Sequence, residues 1–426
     1  MTPPAPSVNI DAGTTRPPAR PLTIETPKSG PLSSSPSLDA SAAAVGRSDG
    51  GGVFVPVQTR SERFASTDVT AFPEVRGVEI EWKFSPVSRL RDVIDGEMDG
   101  SRYPLELPTV EGASIEWIGR TDARIGAAGT PEDKASANAW SSFDEALAIT
   151  ITGEEKVDIG LHRSGFGSAP RAAHTIITAR RHSRGHVVIE NTGPALLAEN
   201  LEIIVEDEAE LTVVSIQEWD DDAIQLASHF ARIGRNAKLR HVLVSLDGSI
   251  IRINPSAHLV GEGADVELFG AYFSSAGQHI EQQVFVDHDA PATRSRVTYK
   301  GALQGQKARS VWIGDVLIRQ SAAGTDSYEQ NRNLLLTDGA RADSIPNLEI
   351  ETGDIAGAGH ASASGRFDDE QLFYLQARGI TEEEARRLVV RGFLSEIVQK
   401  VGSGDLEARL QTAIESALVP EGGSRP

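Results

Sequence analysis

The sequence predicts a mainly β chain, a parallel β-helix core flanked by N-terminal and C-terminal helical regions, and three observations carry that expectation. Short alternating runs rich in Val, Ile and Leu, separated by Gly, Asp and Asn, fill residues 151–366, which is the punctuation of strands and turns. Within them a loose unit of turn residue, Ala, polar residue and apolar strand recurs, as in Glu208-Ala209-Glu210-Leu211, Asn236-Ala237-Lys238-Leu239 and Gly263-Ala264-Asp265-Val266. Ala209, Ala237, Ala264 and Ala290 are spaced by 28, 27 and 26 residues, a near-constant period that fits a solenoid whose coils bury their apolar faces only against one another. The same spacing is open to a β-sandwich with evenly spaced hairpins, because hairpin turns use the same residues. Third, apolar residues after position 366 return to helical spacing.

Taken in order, residues 1–50 are expected to form a disordered tail. The first forty positions hold 9 of the chain's 22 prolines among Ser, Ala and Thr, and such a segment buries too little surface to offset its ordering entropy. Residues 51–150 form an N-terminal cap domain of mixed character with a helix near Ala137–Leu147. Residues 151–366 form the β-helix. In the C-terminal helical domain, 367–426, Asp368 can cap a helix running to Arg378, with Leu372, Phe373 and Leu375 on its buried side and Gly379 as the stop. Thr381-Glu382-Glu383-Glu384 fits a capping box, followed by Ala385, Leu388, Val389, Phe393, Ile397 and Val401 at helical intervals.

Composition removes several function classes. Lys and Arg number 41 against 61 Asp and Glu, a net charge of −20 that repels nucleic acid and anionic lipid and favours basic partner surfaces. No apolar run approaches a membrane span and no secretory pattern opens the chain, so a cytoplasmic protein is expected. Cysteine is absent, which excludes disulfides, thiolate zinc sites, a cysteine nucleophile and any cluster held by this chain's own thiolates.

Gly46-Arg47-Ser48-Asp49-Gly50 matches the nucleophile-elbow string, yet that string works only on a sharp strand-to-helix turn and here it stands in the tail. Neither a Walker-type phosphate loop nor an HExxH helix is present. His182 and His186 lie four apart among Arg180, Arg181 and Arg184, whose charge opposes a metal, so a surface strand is expected. Asp220-Asp221-Asp222 can hold a hard cation but reads more simply as an acidic turn. His360 is the more informative histidine: Gly353, Gly357 and Gly359 surround it with flexible backbone where the β region ends, and a neutral imidazole there can ligate iron or relay a proton.

At these residues the sequence resembles a known family. Asn331-Arg332-Asn333-Leu334-Leu335-Leu336, Pro346-Asn347-Leu348-Glu349-Ile350, His360 through Gly365-Arg366, Asp368-Asp369-Glu370-Gln371-Leu372-Phe373-Tyr374-Leu375 and Arg378-Gly379-Ile380 together look like the C-terminal signature of the SufB/SufD family. Glu81-Trp82-Lys83-Phe84-Ser85-Pro86 resembles its N-terminal Glu-x-Trp-Lys-Tyr-Thr element, with Phe84 and Ser85 as departures. The resemblance implies a right-handed parallel β-helix and a non-enzymatic scaffold of the SUF iron–sulfur cluster assembly system. It further implies pairing with SufB through the β-helix and docking of the SufC ATPase on the C-terminal helices, and it leaves open a homodimer when SufB is missing. A chain without cysteine cannot supply the thiolate expected of SufB, so the SufD type is implied. His360 stands at the matching position for a ligand to iron or a nascent cluster shared with SufB, with no cofactor held by the chain alone. Many SufD sequences carry a cysteine two residues earlier, where this chain has Ala358. The rivals are a β-helical lyase or hydrolase of acidic polysaccharide, which needs an open groove with paired carboxylates, and a SUF-like adaptor without metal chemistry.

Overall fold

The computed structural model describes residues 63–366 and 369–418; the tail over 1–50, the Gly46–Gly50 string and the Asp368 cap lie outside the described residues. Sixteen strands, from β2 (Glu145–Ile151) to β17 (Ile355–Arg366), wind as about eight turns of a parallel β-helix, two strands to a turn. Even-numbered strands stack into one sheet and odd-numbered strands into the other, every ladder running parallel. Among the described residues only β1 (Ala113–Gly119) is antiparallel, closing the N-terminal edge of the even sheet against β2. Parallel ladders remove the sandwich alternative, because hairpins pair their strands antiparallel.

The repeat lies in the corners that turn each even strand into the following odd one. His182, Glu208, Asn236, Gly263, Ala292 and Gly324 all have positive φ there, between 53° and 74°. The residue after each of them lies buried against the turn: Ser183, Ala209, Ala237, Ala264, Thr293 and Thr325. The left-handed residue frees its amide to donate to the next coil, as Glu208 N does to Arg235 O at 2.8 Å and Asn236 N to Glu262 O at 2.9 Å. A side chain at the following position must be small, hence the alanines. Ala290 falls three residues short of this register, whose place Thr293 takes, so the fourth member of the predicted period is corrected. From Ala264 to Thr293 the coil spans 29 residues against 27 from Ala237 to Ala264, the two extra ones lying between the strands Asp265–Ser274 and His279–His288, and spacing alone attached the wrong alanine.

Both broad faces of the β-helix are covered. On the even sheet, a segment over 69–143 packs Trp82, Leu90, Val93, Ile94, Trp140 and Phe143 against Ala146, Ala172, Ala198 and Leu226. Its helix α2 is Lys134–Ser142, capped by the Asp133 carboxylate, after α1 (Arg91–Ile94). The helix expected at Ala137–Leu147 is therefore corrected: Glu145 onward is β2. That strand is apolar on both sides because one side faces the helix interior and the other this cap, which erases the alternation that marks a strand.

On the odd sheet, α4 (Glu382–Val398) and α5 (Gly404–Ala417) bury Val390, Leu394, Ile397, Val398, Leu410 and Ile414 over Val214, Val242, Val244, Phe269 and Phe273. Thr381 caps α4 by accepting from Glu384 N, and Gly379 has φ +85° at the stop of α3 (Asp369–Gln376). The buried stripe includes Val390 and Leu394, while Leu388 and Phe373, expected inside, are 42% and 72% exposed. Among the described residues no helix is long and apolar enough to cross a membrane.

Candidate functional site

Buried polar pairs recur along the β-helix, as in Arg163–Glu199 and His229–His241, and near its C-terminal end one strand buries nothing but polar side chains. Along β15 (Thr325–Leu335) every second side chain is buried, and these are Thr325, Ser327, Glu329, Asn331 and Asn333. Alternation is the ordinary pleat of a strand; an inward row made wholly of polar groups is not. Two members are Asn residues of the C-terminal signature, and they are satisfied. Asn331 Nδ2 donates to Tyr272 Oη at 3.0 Å, Tyr272 Oη donates to Asn333 Oδ1 at 2.7 Å, and Asn333 Nδ2 donates to Asn331 Oδ1 at 2.7 Å. Burial pushes the Tyr272 phenol up to about 12, so it stays a neutral donor.

Glu329 is not satisfied. Its side chain is 1% exposed, yet neither carboxyl oxygen meets a hydrogen-bond partner among the described residues. Burial, with a smaller contribution from the Asp315 charge, raises its carboxyl to about 8, because a low-dielectric site disfavours the charged form. The carboxyl lies beside Gly314 on β14 (Arg309–Ile318), where any Cβ would collide with it and with the Trp312 ring. Nearby inward-facing Trp312 Nε1 and Tyr299 Oη, and Ser344 Oγ of β16 (Arg341–Ile350), are buried without hydrogen-bond partners as well.

His360 stands directly against this group. It pairs with Glu329 in the β15–β17 ladder, and its Nδ1 is 3.9 Å from Glu329 Oε1 with the imidazole 45% exposed. The glycine-rich loop expected around it is corrected to strand β17. Gly357 and Gly359 lie on its outer side beneath the Tyr328 ring, which a Cβ at either would crowd, and Arg296 covers the other face of that ring at 5.0 Å. The glycines serve ring packing, not mobility. Ala358, two residues before His360 on the same side of the strand, packs against the interior core.

Other sequence candidates fall elsewhere. His182 sits at a corner with φ 64° and meets Glu208 at 3.1 Å. His186 is buried, not on an open surface: Nε2 donates to Val401 O at 2.7 Å and Nδ1 lies 2.9 Å from Asp158, which fastens the C-terminal helices to the odd sheet. Asp220-Asp221-Asp222 forms a turn. Among the described residues no three His, Asp or Glu side chains converge as a metal site, so an ion at His360 needs ligands beyond these. Glu329 lies outside the motif that begins at Asn331, and its signal in the sequence is a carboxylate two positions earlier in the same alternating row.

The N-terminal element proves to be an anchor. Trp82 is 1% exposed and its ring stacks on the Arg252 guanidinium at 4.2 Å. Arg252 donates to Glu81 O at 2.9 Å, and Ser85 Oγ donates to Glu281 at 2.8 Å. The cap covers much of the even sheet, and α4 and α5 much of the odd sheet, where an open groove lined by Arg184, Glu210, Lys238, Arg240 and Glu267 remains.

The family model described as the SUF system FeS cluster assembly, SufBD core domain, matches residues 163–393. A SufBD-family iron–sulfur cluster assembly protein of Mycobacterium bovis is 47% identical over 369 residues, 84% of this chain and 93% of that protein. One of Mycobacterium leprae is 45% identical over 365 residues, 83% of this chain and 93% of that protein. A second Mycobacterium leprae protein of the same family is 29% identical over 232 residues, 53% of this chain and 26% of that protein.

Proposed function

Because the chain belongs to the SufBD family of iron–sulfur cluster assembly proteins, we propose that it is a SufD-type scaffold of a cytoplasmic assembly complex, not an enzyme in itself. On this reading it pairs with SufB through the C-terminal end of its β-helix and lends His360 to incoming iron or a nascent cluster, which is cargo. The observation that carries the reading is the placement of His360, a half-open imidazole on the last strand of the β-helix, set over a buried carboxyl that meets no hydrogen-bond partner among the described residues.

Chemistry favours the SufD role. A nascent cluster is held chiefly by thiolates, and this chain has no cysteine; it can offer an imidazole, a carboxylate and surfaces, with thiolates left to a neighbour. Strands β16 and β17 each end their sheet with one ladder unpaired, an edge that another chain can extend. For SufC, the C-terminal helices offer Phe373, Tyr374 and Leu388, all exposed.

The test replaces His360 with Ala in the complex reconstituted with SufB and SufC. Iron content and cluster formation are expected to fall well below the parent complex, and undiminished assembly would reduce His360 to a strand residue and leave a metal-free adaptor. For docking, Phe373→Asp and Leu388→Asp are expected to lose SufC in a pull-down with an unchanged melting profile; retained SufC would refute this surface.

A further inference from the structure

We infer that Glu329 is a second ligand of the metal that His360 meets, so that one imidazole nitrogen and one carboxylate oxygen of this chain bind the same ferrous ion. The inference rests on the reading of His360 above and deepens it. Three features of the structure carry it.

The first is the cost of Glu329 where it stands. A carboxyl 1% exposed with both oxygens free of hydrogen bonds is expensive to bury, and among the described residues no arginine or lysine is hydrogen-bonded to it. Buried carboxylates elsewhere in this chain are satisfied: Glu199 holds Arg163 through two contacts of 2.8 and 3.0 Å, and Glu202 accepts from Gly126 N and Ala128 N. A cation from outside the chain is the partner that Glu329 lacks.

Distance is the second. Metal bonds to imidazole nitrogen and carboxylate oxygen are each about 2.1 Å long, so one ion can bridge atoms up to about 4.2 Å apart. His360 Nδ1 and Glu329 Oε1 are 3.9 Å apart. A small rotation of the half-exposed imidazole narrows the angle at the ion toward the values usual for such ligands.

Third, the surroundings suit this use. Gly314 keeps the carboxyl's space open, while the Asn331–Asn333–Tyr272 network fixes the strand that carries it. An imidazole and a carboxylate together select a borderline divalent cation such as ferrous iron over magnesium or calcium, and two ligands leave the other coordination positions to cluster sulfide or a neighbour's thiolate.

The experiment uses the full chain under anaerobic conditions, with cobalt(II) as the visible probe and ferrous iron as the competitor. One cobalt(II) per chain is expected, displaced by ferrous iron, with Kd about tenfold to a hundredfold weaker in Glu329→Gln and in His360→Ala. Glu329→Asp, which keeps the charge but withdraws it, is expected to fall between and to change the cobalt absorption envelope. Melting profiles confirm that each variant is folded. If Glu329→Gln and Glu329→Asp both bind as the parent does while His360→Ala loses the ion, Glu329 is no ligand and the His360 reading stands. If all three variants bind as the parent does, or the parent binds no ion, the paired site is overturned; in the former case His360 falls as a ligand of this chain too.

Discussion

Arg252 is 2% exposed, and its guanidinium contacts Asp133 at 2.9 Å and Glu281 at 3.2 Å while stacking on Trp82. Removing one partner of a buried ionic cluster leaves the others charged and unsolvated, so Arg252→Ala is expected to cost about 3–5 kcal/mol in urea unfolding, with the cap segment loosened first. A cost within about 0.5 kcal/mol would mean that the N-terminal element does not depend on this anchor. Histidines supply the pH dependence. His229 and His241 share a hydrogen bond of 3.0 Å in the interior. Burial, then the Arg163 charge, lowers His229 to about 3; burial, then His229, takes His241 well below the usual range; and burial lowers His288 to about 4 despite Asp287 and Asp326. Depressed histidines stabilise fully above pH 6.5 and lose that contribution as pH falls toward their folded values. Glu329 has the opposite sign: its raised carboxyl contributes most below pH 4.5, and the contribution is lost as pH rises through about 8. Three protons favour unfolding and one opposes, so between pH 6 and 5 stability should fall by roughly 2.7 kcal/mol per pH unit from these groups. Urea midpoints measured against pH check this. Glu329→Gln should steepen the slope, and a flat profile from pH 7 to 5 would contradict the burial of these imidazoles.

The corners make a sharper claim about local structure. Left-handed backbone costs a residue with a Cβ about 1–2 kcal/mol, and Gly nothing comparable. Ala292 has φ +54° and Asn236 +53°. Ala292→Gly is therefore expected to raise stability by about 1 kcal/mol, and Asn236→Gly to change little, since Asn tolerates this region. Gly263→Ala should destabilise on two counts, its φ of +72° and a Cβ that would strike Asn236 Oδ1. Chemical denaturation of the three variants tests the set, and an unchanged or lowered midpoint for Ala292→Gly would mean the corner is held by something other than backbone preference. These corners also explain what could be read beforehand. The turn residues and the small residue after them were visible as a period, so the β-helix was legible. Its true register was not, because the left-handed position is filled by His182, Glu208 and Ala292 as readily as by glycine. Likewise β2 was half hidden in an expected helix, since Ala146, Leu147, Ala148 and Ile149 are buried from both sides and carry no period-2 signal.

Site legibility followed the same division between what a strand shows and what its neighbours decide. His360 was a candidate from its motif alone, whereas Glu329 joins it only through the ladder that sets it beside His360, 31 positions away in sequence. The two ends of the β-helix are also unlike. At the N-terminal end β1 closes the edge of the even sheet, while the C-terminal turn is exposed: β17 is exposed or half-exposed along its whole length, whereas β11 (Asp265–Ser274) and β12 (His279–His288) are buried nearly throughout. In a stack whose coils contact only their neighbours, local stability follows the interfaces each coil has, and the last coil has one. Amide hydrogen exchange on the isolated full chain should thus find β16 and β17 opening at least about a hundredfold more readily than β11 and β12. If the chain meets SufB through this end, adding SufB should slow exchange in β16 and β17 toward that of the inner strands and leave β3 (Lys156–Arg163), at the other end, as it was. Protection confined to β3, or none at either end, would move the partner off the edge that carries His360. Equal protection of β17 and β11 in the chain alone would indicate that a second copy already covers that edge, which a concentration series in the same experiment would reveal.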